Sequence, residues 1–236
     1  MTGVQTCALP IFLIPVLPFL AFLVIAMGGR WLQEGSHRVA IPAVVASFGL
    51  SVLAAVEVYR LGGLLIPLYT LMESGSLAVE LSLYVDALSA VLLLLVTGVS
   101  SIVHLFSSRY MQGDPRYARF FAVIALFTFS MILLVMSANL LMLYMCWEVM
   151  GLCSYLLIAH WSERTAACQA ATKAFLVNAL ADVGLGFGVI LTWSTFGTLH
   201  IPAILSAAPD LADRTDRKST RLNSSHMSES RMPSSA

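Results

Sequence analysis

Leu140-Leu141-Met142-Leu143-Tyr144-Met145-Cys146-Trp147-Glu148-Val149-Met150-Gly151-Leu152-Cys153-Ser154-Tyr155-Leu156-Leu157-Ile158 is a nineteen-residue apolar run with one acidic residue, Glu148, near its middle. As a helix rising 1.5 Å per residue it covers most of the roughly 30 Å hydrocarbon core of a bilayer. An acid at that depth costs about 2.5–3.5 kcal/mol on insertion scales, so Glu148 is expected to face protein or water rather than lipid. Two roles fit such a residue. It is a neutral glutamic acid hydrogen-bonded inside a helical bundle, or it is a site that exchanges protons.

The whole chain shares this character. It is 58 % hydrophobic and 11 % charged, with a mean hydropathy of +0.85. Those values exclude an ordinary soluble domain and indicate a polytopic membrane protein. A formal net charge of +0 offers no basic surface to nucleic acid. The four cysteines have no pairwise metal spacing. Cys146 and Cys153, seven apart, share one helix face and suit packing. No phosphate loop, dinucleotide fingerprint or zinc motif occurs, so no redox centre is expected in this chain.

Six apolar runs reach or approach spanning length: Phe12–Met27, Val39–Val58, Val85–Phe106, Phe120–Met136, Leu140–Ile158 and Ala174–Trp193. None alternates like a barrel strand, which predicts an all-α bundle of about six transmembrane helices. The links between them differ in charge. Arg30 and Arg38 follow the first run, Arg109, Arg116 and Arg119 the third, and Arg164 and Lys173 the fifth. The other side carries Arg60 and Arg214 with Glu73 and Glu80. This bias places the odd links in the cytoplasm and the N-terminus outside. The long link Tyr59–Tyr84, with Gly62, Gly63 and Pro67, reads as an external loop or interfacial segment. Ser137-Ala138-Asn139 is so short that the runs on either side must be antiparallel neighbours.

Both ends depart from this pattern. Residues 1–11 match a translated short-read sequencing adapter, and residues 216–236 match its reverse complement. The expectation is that both are artefacts and that residues 12–215 are the N-terminal part of a longer membrane protein.

Other polar groups lie within the runs. Asp182 sits mid-helix in the sixth, with Asn178 one turn before it and Gly184, Gly186 and Gly188 after it. It is either an Asp–Asn packing pair or a carboxylate on a proton path. Lys173 leaves the opposite helix face, about 13 Å along the axis, so it cannot pair with Asp182 on a straight helix. Taken alone, it reads as a snorkelling helix-end lysine. His104, near the end of the third run, has a side chain whose ordinary pKa suits a proton relay. His160, beside Trp161, reads as an interfacial anchor.

The motif W-E-x-x-G-L-C-S-Y-L-L-I, at Trp147–Ile158, resembles the fifth-helix motif of the antiporter-like subunits of respiratory complex I, the NADH–quinone oxidoreductase subunit L (subunit 5) family. Val85-Asp86-Ala87-Leu88-Ser89, Tyr110-Met111, Tyr117-Ala118-Arg119-Phe120-Phe121-Ala122 and Ala171-Thr172-Lys173-Ala174-Phe175 agree with it in order and spacing. The resemblance runs from about Phe12 to about Thr215. It implies the same topology in a bacterial inner membrane, with Glu148, Asp182, Lys173 and His104 as proton-translocating residues. It also implies other complex I membrane subunits and membrane lipid as partners. NADH, FMN, iron–sulfur clusters and quinone would be held in partner subunits, with no cofactor or metal here. The lysine coupled to the fifth-helix acid in the family lies on a seventh helix, so that role is not carried to Lys173. One departure stands out: where the family has T/N-R-V-G-D, this chain has Asn178-Ala179-Leu180-Ala181-Asp182. The lost arginine would have helped to hold Asp182 ionised. A sodium/proton antiporter subunit or an inorganic-carbon uptake subunit shares the fifth-helix motif and is the alternative. A purely structural subunit is the third possibility.

Overall fold

The computed structural model describes residues 2–74 and 77–209. In chain order its elements are α1 (Thr2–Leu32), α2 (His37–Leu61), the strands β1 (Leu64–Ser74) and β2 (Leu77–Val85), α3 (Ala87–Tyr110), α4 (Tyr117–Met136), α5 (Leu140–Ile158) and α6 (Thr165–Phe196). Residues 201–209 add a short helix. Each of α1–α6 carries a stretch long and apolar enough to cross a membrane. The chain is a multi-pass membrane protein.

Prolines and hydroxyls determine how α1 meets α2. Pro18 has no N–H to give the carbonyl of Ile14, four residues earlier. Ser47 of α2 donates its hydroxyl to that carbonyl at 2.9 Å. In a dry bundle a freed carbonyl needs such a partner. On the other side of α2, Gly98 of α3 lets Phe48 approach so closely that a Cβ there would stand 3.2 Å from the ring. Ser51, Thr97, Ser101 and Thr128 return their hydroxyls to carbonyls one turn back, so these small polar residues line helix interfaces without an unmet bond.

α4 is central, packing against α1, α2, α3 and α5, whereas α6 packs mainly on α5. The apolar core has two parts. One, beneath the hairpin, joins Ile14, Val58, Leu83, Leu93, Ile132 and Met136. The other gathers Ile25, Ala40, Met111, Tyr117 and Phe121 at the opposite end of the bundle.

Two opposite faces follow from the links. The α3–α4 turn reaches the α5–α6 link through Arg116, whose guanidinium bonds Ser162 and Glu163, each at 2.8 Å. The α1–α2 link joins the same face, since His37 Nδ1 lies 3.0 Å from the Tyr117 hydroxyl. On the other face, Ala138 N–H donates to Ser82 of β2, Leu140 N–H to Leu199, and Ile201 N–H to Ala138. The odd links therefore share one side, as the charge bias requires.

The hairpin is not in the sequence-based expectation. Residues 64–72 read as a loop or interfacial segment, but β1 and β2 pair antiparallel from Leu64↔Val85 to Ser74↔Leu77. The missed signal is the alternation of Val79, Leu81, Leu83 and Val85 with Glu80, Ser82 and Tyr84. Leu83 and Val85 are fully buried. Pro67, which has no N–H for the ladder, sits at a register shift.

Helix ends differ from expectation too. α3 starts at Ala87 rather than Val85, because the Asp86 carboxylate caps it by accepting from Ser89 N–H at 2.7 Å. Asp86→Ala is expected to cost about 1 kcal/mol, read as a lower thermal unfolding midpoint in detergent. α6 starts at Thr165, nine residues before the expected Ala174. Residues 165–173 are Ala-rich, good for helix but weakly hydropathic. Of the two terminal segments, residues 2–11 belong to α1, with Ile11 buried. Residue 1 and residues 216–236 lie outside the described residues.

Candidate functional site between the fifth and sixth helices

α5 and α6 are antiparallel, and three contacts give their register. Tyr155 packs on Phe175 with ring centroids 5.4 Å apart. Trp147 Nε1 donates to Asp182 Oδ1 at 2.9 Å. Tyr144 lies against Gly186, where a Cβ would stand 3.6 Å from its hydroxyl. The cluster of interest is the middle of this seam.

Glu148 follows Trp147 directly and is half-buried. Tyr144, one turn before it, interacts electrostatically with both Glu148 and Asp182. The two sequence-identified acids therefore belong to one cluster with two aromatic donors. Asp182 is only 7 % exposed although its helix is largely uncovered. A carboxylate so placed needs a donor, and an indole N–H is well suited because its body can stay in an apolar setting. Asn178, the partner of Asp182 in the packing-pair alternative, is exposed. Trp147 entered the sequence reading only as part of the Trp147–Ile158 motif, with no role of its own, and Tyr144 was not singled out. The usable signal was an indole and a phenol within one turn of an intramembrane acid.

Lys173 is exposed on α6, on a different face from buried Asp182, in agreement with the helical geometry. It stands eight residues inside α6, so it is not at the helix end as expected. His104 is also more internal than expected. α3 continues to Tyr110, and His104 is fully buried against Phe121, with ring centroids 6.1 Å apart. Its Nδ1 lies 2.8 Å from the Ser100 carbonyl, which fixes the proton there. Ser100 Oγ continues to Thr128 Oγ1 at 2.6 Å. His104 Nε2 meets no hydrogen-bond partner among the described residues. The structure thus brings Glu148 and Asp182 together and leaves Lys173 and His104 apart from them.

A second polar cluster lies at the face carrying the odd links. His160 is buried, not exposed as a simple interfacial anchor would be. Its Nε2 sits 3.4 Å from Asp114 Oδ2, an ion-pair distance without hydrogen-bond alignment. Asp114 also accepts from Arg116 N–H at 2.7 Å and Trp161 Nε1 at 3.2 Å. Desolvation pushes its pKa up, but the Arg116 N–H, His160 and Trp161 together hold it below the ordinary carboxylate value. The sign follows directly. A depressed carboxylate pKa contributes stability above the unfolded value, about 3.9, and loses it as pH falls through the folded value. Asp114→Asn is expected to lower the thermal unfolding midpoint at neutral pH, with the difference from wild type closing in acid. The nearby Arg116–Glu163 pair is exposed at Glu163 and contributes at most about 1 kcal/mol.

Comparison with known proteins gives a consistent picture. Residues 71–121 match the family model for the N-terminus of NADH-ubiquinone oxidoreductase (complex I) chain 5. Residues 137–228 match the transmembrane model shared by NADH:quinone oxidoreductase and Mrp antiporters. The chain is 37 % identical over 202 residues to NADH-quinone oxidoreductase subunit L of Mycobacterium tuberculosis (strain H37Rv), covering 84 % of this chain and 32 % of the relative. Against subunit L of Pseudomonas aeruginosa (strain PAO1) the identity is 40 % over 201 residues, covering 81 % and 32 %. The chain spans about a third of the length of these curated relatives. Among solved structures, the Mrp complex from Dietzia sp. DQ12-45-1b aligns with a TM-score of 0.70 at 23 % identity, covering 83 % of this chain and 20 % of that one. The archaeal membrane-bound sulfane sulfur reductase aligns with a TM-score of 0.68 at 20 % identity, covering 88 % and 41 %. At these identities the structural likeness concerns the fold.

Proposed function

The chain belongs to the antiporter-like membrane subunits of respiratory NADH–quinone oxidoreductase, the subunit L and chain 5 family, and on that premise we propose that it forms part of a proton-translocating unit. The observation carrying this reading is the α5–α6 cluster, in which Trp147 donates to buried Asp182 while Tyr144 pairs with Glu148 and lies within electrostatic reach of Asp182. Charges held in a low-dielectric seam interact strongly, so moving a proton at one site does electrostatic work on groups nearby. Glu148 is the proton-exchanging acid. Asp182, held by Trp147, sets the field in which it works. His104 serves a separate relay on α3, and Lys173 adds positive charge on the outer face of α6.

Electron transfer, with NADH, FMN, iron–sulfur clusters and quinone, belongs to partner subunits in this reading, and this chain holds no redox centre. Its setting is a bacterial inner membrane beside other membrane subunits of the complex, with the odd links facing the cytoplasm.

A multi-subunit sodium/proton antiporter is the second reading, favoured by Asn178-Ala179-Leu180-Ala181-Asp182 in place of the family's arginine-bearing motif. Proteoliposomes containing the full-length protein in its complex separate the two. NADH-driven acidification with no sodium requirement is the expected result. Sodium-dependent proton exchange without NADH would overturn it in favour of the antiporter.

A further inference from the structure

Phe121 stands between a polar cavity and a buried histidine. The cavity, about 160 Å³, opens at the face of the odd links and is lined by Glu34, His37, Ser108, Arg109, Gln112 and Tyr117. Inside it His37 Nδ1 is 2.7 Å from the Glu34 carbonyl and 3.0 Å from the Tyr117 hydroxyl. Tyr117 also donates to the Ser108 carbonyl at 3.2 Å. One turn deeper on α4 is Phe121, fully buried, with its ring 4.8 Å from Tyr117, 6.4 Å from His37 and 6.1 Å from His104, centroid to centroid. Beyond it lie His104, then Ser100 and Thr128. Those two hydroxyls line a second cavity of about 290 Å³, otherwise walled by apolar residues of α3, α4 and α5.

The groups thus fall in a column: polar cavity, phenyl ring, histidine, hydroxyl pair, apolar cavity. A buried ring nitrogen with no partner is costly, and a native protein that keeps one has a reason to do so. Nδ1 is committed to Ser100, which leaves Nε2, on the other flank of the ring, an acceptor without a hydrogen-bond partner among the described residues. A bare imidazole nitrogen takes up a proton readily once water reaches it. Phe121 touches the rings of His104, His37 and Tyr117 alike, and a phenyl ring conducts no protons.

We propose that the cavity at Glu34, His37, Arg109 and Tyr117 is a proton-uptake vestibule, and that Phe121 is the gate between it and His104. The proposal rests on the proton-translocating reading above and deepens it. When the Phe121 ring swings aside, a hydronium ion in the vestibule gives its proton to His104 Nε2 and leaves as water. Glu34 attracts that cation, while Arg109 opposes it and keeps the vestibule from filling with cations unselectively. With the ring in place, His104 is dry and holds its charge state. Phe121 is a positioning residue here; the group that takes the proton is His104.

The test is deuterium exchange at imidazole C2, which reads water access to each histidine and needs no pumping. It is made on the full-length protein in native membranes, with peptides containing His104 and His160 followed by mass spectrometry. Phe121→Ala is expected to speed exchange at His104 about tenfold or more and leave His160 unchanged. Phe121→Trp is expected to slow it. An unchanged His104 rate in Phe121→Ala, or equal acceleration at both histidines, overturns the gate. If Phe121→Ala fails to assemble, His37→Leu decides the matter: an apolar side chain in the vestibule should slow exchange at His104, and an unaltered rate overturns the proposal. Because exchange is read without turnover, the gate can fail while Glu148 still proves essential to translocation, and the reverse.

Discussion

Glu148→Gln in the full-length protein is expected to reduce NADH-driven proton translocation by roughly tenfold or more while the complex still assembles. Gln keeps the size of Glu and can still pair with Tyr144, so packing along the α5–α6 seam is preserved. What it loses is the ability to bind and release a proton. If Glu148 only packs as a neutral hydrogen-bonded acid, Gln substitutes for it and translocation is unchanged. The comparison therefore separates an acid that works by titration from one that works by shape. Proton uptake in proteoliposomes is the readout, with NADH oxidation measured alongside to show that the redox partners are intact.

Trp147→Phe has the second largest expected effect. It removes the indole N–H that reaches Asp182 Oδ1 at 2.9 Å and leaves the ring body largely in place. Asp182 is buried, so its carboxylate is left short of a donor, and hydrogen bonds to charged groups contribute about 1.5–3 kcal/mol. The thermal unfolding midpoint of Trp147→Phe should fall accordingly. Asp182→Asn made in the same background should cost much less than it does alone, because the carboxylate is then no longer held by Trp147. A coupling of about 1–3 kcal/mol is expected in the double-mutant cycle. Strict additivity would mean that the bond does not hold the two helices.

The six spans were legible from hydropathy alone, because a bilayer demands long uninterrupted apolar runs and leaves few alternatives. Glu148 and Asp182 stood out for the same reason: a carboxylate within such a run is costly. Helix geometry also placed Lys173 and Asp182 on different faces of α6, which the structure shows. What hydropathy could not supply were ends decided by other forces. Asp86 starts α3 by capping, and the Ala-rich stretch 165–173 continues α6 by helix propensity rather than by apolarity. The hairpin was hidden by Gly62, Gly63 and Pro67, which suggest a loop, although β2 carried a clear alternation of apolar and polar residues.

Pairings between elements were beyond reach. Trp147 is 35 residues from Asp182, and Arg116 is 46 from Ser162, and no local spacing rule connects residues so distant. His160 illustrates the point. Beside Trp161 at a helix end it reads as an interfacial anchor, yet tertiary packing buries it against Phe120 and turns it toward Asp114. The motif at Trp147–Ile158 was informative about family because it joins a rare buried acid to fixed neighbours. The structure adds that Trp147 within that motif holds the acid of the next helix.

Infrared spectroscopy of the carboxyl stretch tests the central claim most directly. Spectra of the full-length protein in its complex would be recorded across a pH titration and compared with those of Glu148→Gln. The account predicts a protonated-carboxyl band in wild type that fades with rising pH and is missing from the variant. A Glu148 band that keeps the same intensity across the whole titration would contradict it, since Glu148 would then exchange no proton.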